Sequence, residues 1–87
     1  MTTKAPSAVR PAPPESLEHI AYASVAGIPT LEPHDADRLG FSVYRWLKNR
    51  KDTLATAVHT TGARFLIPEE EALQRITDRL KEQGVEV

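Results

Sequence analysis

The chain contains no cysteine, so neither a disulfide nor a thiolate metal site can hold its 87 residues together. Aromatic residues are also scarce, with one Trp, two Tyr and two Phe, so any core must be mainly aliphatic around a single indole. No apolar run is long enough for a membrane-spanning helix, and the N-terminus lacks the apolar stretch of a secretory signal. A cytoplasmic protein with no membrane partner is expected. The three histidines (His19, His34, His59) fall on separate predicted elements with no H-x-x-x-H spacing, which argues against a metal site. No glycine-rich phosphate loop and no nucleophile motif is present. Glu69, Glu70 and Glu71 are adjacent, so they point to different sides of a helix; they suit its N-terminal dipole rather than acid–base chemistry. The sequence therefore predicts no enzyme, no cofactor and no small-molecule substrate.

Four of the seven prolines lie in residues 5–14 (APSAVRPAPP), which predicts an extended, solvated tail over residues 1–14. One domain is left, residues 15–87, and at that size it is only marginally stable by burial alone.

Positive charge is concentrated in one place. Residues 38–64 hold six basic side chains (Arg38, Arg45, Lys48, Arg50, Lys51, Arg64) against one acid, Asp52, for a net charge of +5. Residues 1–37 carry two bases and five acids, and residues 65–87 carry three bases and six acids, so each flank is −3. The formal total of −1 thus conceals a basic middle between acidic ends. A basic segment of this kind points to a polyanion, of which nucleic acid is the commonest.

Local patterning gives an α+β expectation. Ser16 can cap a helix over residues 16–26 that Gly27 and Pro29 end. A short second helix starts at Thr30 or Glu32, with Pro33 in its first turn, and breaks at Gly40. His34, Asp35 and Asp37 at its start read as capping groups. Ser42 then caps a third helix, residues 43–51, in which Val43, Trp46, Leu47 and Arg50 share one side and Arg45, Lys48, Asn49 and Asp52 another. Trp46 is expected in the core, together with Leu39, Phe65 and Leu73. Residues 53–58 are weakly strand-like, residues 59–62 turn at Gly62, and residues 63–67 (ARFLI) form the strongest strand candidate, giving a hairpin near residues 54–67. Pro68 opens a last helix, with Leu73, Ile76 and Leu80 on one stripe and a Glu71–Arg75 pair one turn apart, and Gly84 stops it.

This order of elements is that of a winged helix-turn-helix. Ala36-Asp37-Arg38-Leu39-Gly40-Phe41-Ser42 resembles the A-x-x-L-G-[hydrophobic]-S turn of the MerR-type and excisionase-type helix-turn-helix. Val43-Tyr44-Arg45-Trp46-Leu47-Lys48 is similar to the core of that family's recognition helix. Gly62-Ala63-Arg64-Phe65-Leu66-Ile67-Pro68 resembles its wing strand. The resemblance spans roughly residues 31–77 and implies a small winged helix-turn-helix, with three to four helices and one two-stranded β-hairpin wing. It implies a sequence-specific DNA-binding protein of phage or mobile-element type, acting as an excisionase-like architectural factor in DNA recombination or as a small transcription regulator. Double-stranded DNA would be its partner, along with a recombinase or integrase, or further copies of itself on adjacent sites. DNA contacts would then come from Ser42, Tyr44, Arg45, Lys48, Asn49 and Lys51 on the helix, and from Thr60, Thr61 and Arg64 at the wing. Arginine forks suit guanine and Asn49 can pair with adenine; the bland alternative is a solvated helix face. A rival reading is a small protein-binding module (antiactivator, antitoxin-like factor or phage inhibitor of a host protein) that would use Leu73, Ile76 and Leu80 as a partner surface.

Overall fold

The computed structural model describes residues 13–87, so most of the expected tail lies outside the described residues. Four helices follow one another: α1 (Pro13–Val25), α2 (Pro33–Asn49), α3 (Leu54–Thr60) and α4 (Glu69–Glu82). The described residues contain no strand; their only β pairing is an isolated antiparallel bridge between Thr30 and Phe65. The expected α+β fold with a hairpin wing is therefore wrong, and the domain is all-helical.

The first correction is at Gly40. Residues 33–49 form one helix of 17 residues, with no helix-turn-helix corner. Its start follows the sequence grammar: Glu32 is extended (φ −122°, ψ 145°) and Pro33 takes the first helical position, where a missing N–H costs nothing. Asp35 Oδ2 accepts the Glu32 N–H at 3.3 Å, so this carboxylate, 3% exposed, is a capping group. Gly40 passes through as an ordinary helical residue because α1 packs against it. A Cβ built there would lie 2.5 Å from Cδ1 and Cε1 of Tyr22. The glycine lets two helices approach rather than breaking one. Ser42, expected as a cap, lies mid-helix, and α2 ends at Arg50 in the left-handed region (φ 51°, ψ 35°).

The second correction concerns residues 53–58. Leu54–Thr60 is helical because Thr53 Oγ1 accepts the Thr56 N–H at 3.1 Å, while Leu54 and Val58, one turn apart, are both buried. Burial of one stripe outweighs the weak β preference of threonine and valine. Gly62 does turn the chain (φ 72°), but it follows a helix instead of joining two strands. Residues 63–67 do find a β-type neighbour, namely the α1–α2 loop. Leu31 N–H donates to the Arg64 carbonyl (2.8 Å) and Leu66 N–H to the Pro29 carbonyl (3.0 Å).

α1 packs on α2 and α4, and α3 touches α2 and α4. The core holds Leu39, Val43, Trp46 and Leu47 of α2 with Ile76 and Leu80 of α4, and Phe65 and Leu73 pack against it. Each large aliphatic side chain buried there contributes about 1.5–3 kcal/mol. Leu73, Ile76 and Leu80 are thus core residues, not a free stripe. The Glu71–Arg75 pair forms at 2.8 Å. At the far end of α4, Arg79 donates to the Ala23 carbonyl (3.0 Å) and Gln83 to the Ile20 carbonyl (3.2 Å), fastening it to α1. No described helix is long and apolar enough to cross a membrane.

Candidate nucleic-acid interface

A continuous helix from Pro33 to Asn49 lays its exposed residues along one unbroken stripe. With Leu39, Val43, Trp46 and Leu47 turned inward, the 3.6-residue period leaves His34, Asp37, Arg38, Phe41, Arg45, Lys48 and Asn49 outside, and all seven are exposed, with the one acid at the N-terminal end of the stripe. Beside this stripe lies a groove of about 290 Å³ between the C-terminal half of α2, the α2–α3 loop and α3. Its walls are Ser42, Arg45, Trp46, Asn49, Lys51, Asp52, Ala57 and Thr60. Five of the expected DNA-contacting residues (Ser42, Arg45, Asn49, Lys51, Thr60) therefore meet at one place although the expected wing does not exist.

The other four are spread out. Lys48 lies next to Arg45 on the solvent side of α2, its Nζ 5.0 Å from the centre of the Tyr44 ring. Tyr44 is half-buried and packs against the core. Thr61 belongs to the fold: its Oγ1 donates to the Val58 carbonyl (2.8 Å) and accepts from the Ala63 N–H (3.0 Å). Its carbonyl accepts a hydrogen bond from Arg38. Arg64 is exposed on the α3–α4 segment beside the bridge, not in the groove.

The electrostatics of the stripe are unusual for a helix surface. Among the described residues no carboxylate comes within 4.0 Å of a cationic nitrogen of Arg45, Lys48, Arg50, Lys51 or Arg64. Arg38 is the exception, paired with Asp35 at 3.3 Å. In place of acids, the α2 cations have rings one turn back: Arg45 over Phe41 (5.8 Å), Lys48 over Tyr44 (5.0 Å) and Arg50 over Trp46 (4.3 Å). Such contacts restrain a cation without neutralising it, and each is worth about 0.5–1 kcal/mol when exposed. Arg50 also donates to the Glu86 carbonyl (2.6 Å), which occupies it. Arg45, Lys48 and Lys51 are thus exposed and without a carboxylate within 4.0 Å among the described residues, although Asp52 shares the groove wall. The amide of Asn49 and the hydroxyl of Ser42 lie alongside, while the Thr60 hydroxyl donates to the Thr56 carbonyl (2.7 Å). That set can hold phosphate oxygens and present a fork and an amide to base edges.

The spacing of these pairs, an aromatic followed four residues later by a cation, is visible in the sequence as Phe41/Arg45, Tyr44/Lys48 and Trp46/Arg50. Phe41 escapes a reading of the sequence because Gly40 looks like the end of a helix, which puts its neighbour in a turn. Exposed at 52%, it stands on the cationic stripe. A second cleft of about 210 Å³, between the end of α1 and α4, has Arg75 and Arg79 offset by Asp78 and Glu82 and shows no excess of either sign. No three histidine or carboxylate side chains converge as metal ligands among the described residues. Comparisons with protein-family models, curated proteins and solved structures give no match to this chain.

Proposed function

We propose that this is a non-enzymatic, cytoplasmic, duplex-DNA-binding protein that lays the exposed face of α2 in the major groove and holds phosphate beside it in the α2–α3 groove. The observation that carries the reading is the juxtaposition of Arg45, Lys48, Asn49 and Lys51, without carboxylate partners among the described residues, on one helix face and groove. A helix of 17 residues is about 25 Å long, and the major groove is wide enough to admit an α-helix. Separation of charge also explains how a chain of net −1 can bind a polyanion: the basic middle segment supplies the surface, and among the described residues no acid of the flanks pairs with Arg45, Lys48 or Lys51. Both helical pieces of the excisionase and MerR resemblance now fall on α2. With no corner between them they do not form a helix-turn-helix, so the architectural or regulatory role, through binding short repeated sites and recruiting a recombinase or a second copy, rests on the cationic face of α2 alone. The rival protein-binding reading loses its surface on α4, because Ile76 and Leu80 are fully buried.

Titration of duplex DNA at several salt concentrations, followed by fluorescence anisotropy, tests the proposal. Affinity should fall steeply with salt, and Lys48→Ala and Lys51→Ala should each weaken all sequences alike and lower the salt slope by about one. Arg45→Ala should cost roughly 1–3 kcal/mol at one position of a selected site and relax preference there. Weak, salt-independent binding by the wild-type protein, unchanged in the three variants, would overturn it.

A further inference from the structure

Phe41 is the large apolar side chain that the cationic face does not need. The buried stripe of α2 is complete without it, supplied by Leu39, Val43, Trp46 and Leu47. Among the other open apolar residues, Tyr22 covers Gly40, while Leu31 and Leu66 flank the β-bridge. Phe41 alone projects from the stripe that carries Arg45 and Lys48, 52% exposed, with the Arg45 guanidinium 5.8 Å from its ring centre.

Resting on the duplex-binding reading above, we propose that Phe41 reads the C5-methyl group of a thymine in the major groove, next to the base edge taken by Arg45. The charge on the C-terminal side of the ring selects the occupant: Arg45 and Lys48 attract phosphate and repel a basic surface. One turn back, Arg38 is held by Asp35 and Asp37 is exposed, so the phosphate lies toward Arg45. Phosphate and sugar offer a phenyl ring nothing, and the thymine methyl is the apolar group that the major-groove edges display. Register agrees with this: four residues of helix separate Phe41 from Arg45, about 6 Å along the axis, close to two base-pair steps. A wedge between base pairs is the other known use of an exposed ring, but wedges enter from the minor groove, which is too narrow for a helix. The ring near Arg45 also limits where the guanidinium fork can go, so apolar contact and fork act as one reading head.

The experiment starts from a duplex selected out of a randomised pool by the full chain. Each thymine of that site is then replaced in turn by uracil, which removes the methyl group and nothing else. At one position the change should weaken wild-type binding by about fourfold, the gain expected from taking one methyl group out of water. Phe41→Ala, folded by circular dichroism, should bind the thymine and uracil duplexes equally, and Phe41→Leu should keep part of the difference. If wild type binds with a steep salt dependence but no thymine is sensitive, this inference fails while the duplex-binding reading stands. It fails in the same way if Phe41→Ala retains the full methyl sensitivity. If no duplex is bound in a salt-dependent way, the duplex-binding reading and this inference fail together.

Discussion

α2 and α4 each bury one aliphatic stripe in the same core, yet they treat their charges in opposite ways. On α4 most cations and amides are engaged within the fold: Arg75 pairs with Glu71 (2.8 Å), Gln74 bonds Asp78 (2.9 Å), and Arg79 holds the Ala23 carbonyl (3.0 Å). That leaves Lys81 as its exposed cation without a carboxylate within 4.0 Å among the described residues. Its three N-terminal glutamates complement the helix dipole. On α2 the cations beyond Arg38 have rings one turn back and, among the described residues, no carboxylate within 4.0 Å. The difference separates charge that stabilises a helix from charge that is left to act on something else.

If that division is right, the buried faces should respond alike and the exposed faces should not. Trp46→Ala should cost about 3–5 kcal/mol, and Ile76→Ala about 2–5 kcal/mol, measured by denaturant unfolding. Trp46 is 7% exposed and its Nε1 donates to the Asp52 carbonyl (2.6 Å), so its removal also leaves that acceptor unpaired. Near-wild-type stability for either variant would break the comparison at its base.

Gly40→Ala comes next. Alanine favours a helix over glycine by about 1 kcal/mol, but here its Cβ would meet the Tyr22 ring at 2.5 Å. Overpacking should win, for a net loss of roughly 1–3 kcal/mol. Adding Tyr22→Ala should remove the clash and expose the helix-propensity gain, a reversal that a double-mutant cycle reads directly. Gly40→Ala as stable as wild type with Tyr22 present would remove the close-approach explanation.

The smallest effect is expected on α4. Arg75→Ala should cost only about 0.3–0.5 kcal/mol, the usual worth of an exposed pair one turn apart, and should leave duplex affinity and its salt slope unchanged. A loss of binding equal to that of Lys48→Ala would mean that the two helices do not divide the work.

Gly40 also shows why part of the fold is illegible in the sequence. Glycine after a helical run reads as a stop, and only the tertiary neighbour, Tyr22, reveals it as a point of contact. The start of α2 at Glu32 and Pro33, the opening of α4 after Pro68 and its Glu71–Arg75 pair are legible because caps, dipole and period are local. Residues 53–58 carry two signals, β-branched composition and a threonine cap with Leu54 and Val58 one turn apart; the second prevails because it buries two side chains. Residues 63–67 have the right extended tendency, but propensity cannot name a partner, and the bridge goes to Thr30 instead of across a hairpin. The candidate interface is half legible for the same reason. Helix spacing puts Arg45, Lys48 and Asn49 outward whichever fold is assumed, whereas Thr60 and Lys51 reach the groove only because α3 folds back on α2.

α3 is held to α2 on both sides of its seven residues: the Asp52 carbonyl before it accepts from Trp46, and the Thr61 carbonyl after it accepts from Arg38. A short helix fastened at both ends has little freedom to swing, so the two walls of the groove move as one body. The ordering entropy of those walls is then met during folding and not again at binding, which favours affinity from a small contact area. It should also make the amides of α3 exchange with solvent as slowly as their neighbours in α2, although α3 is too short to persist alone.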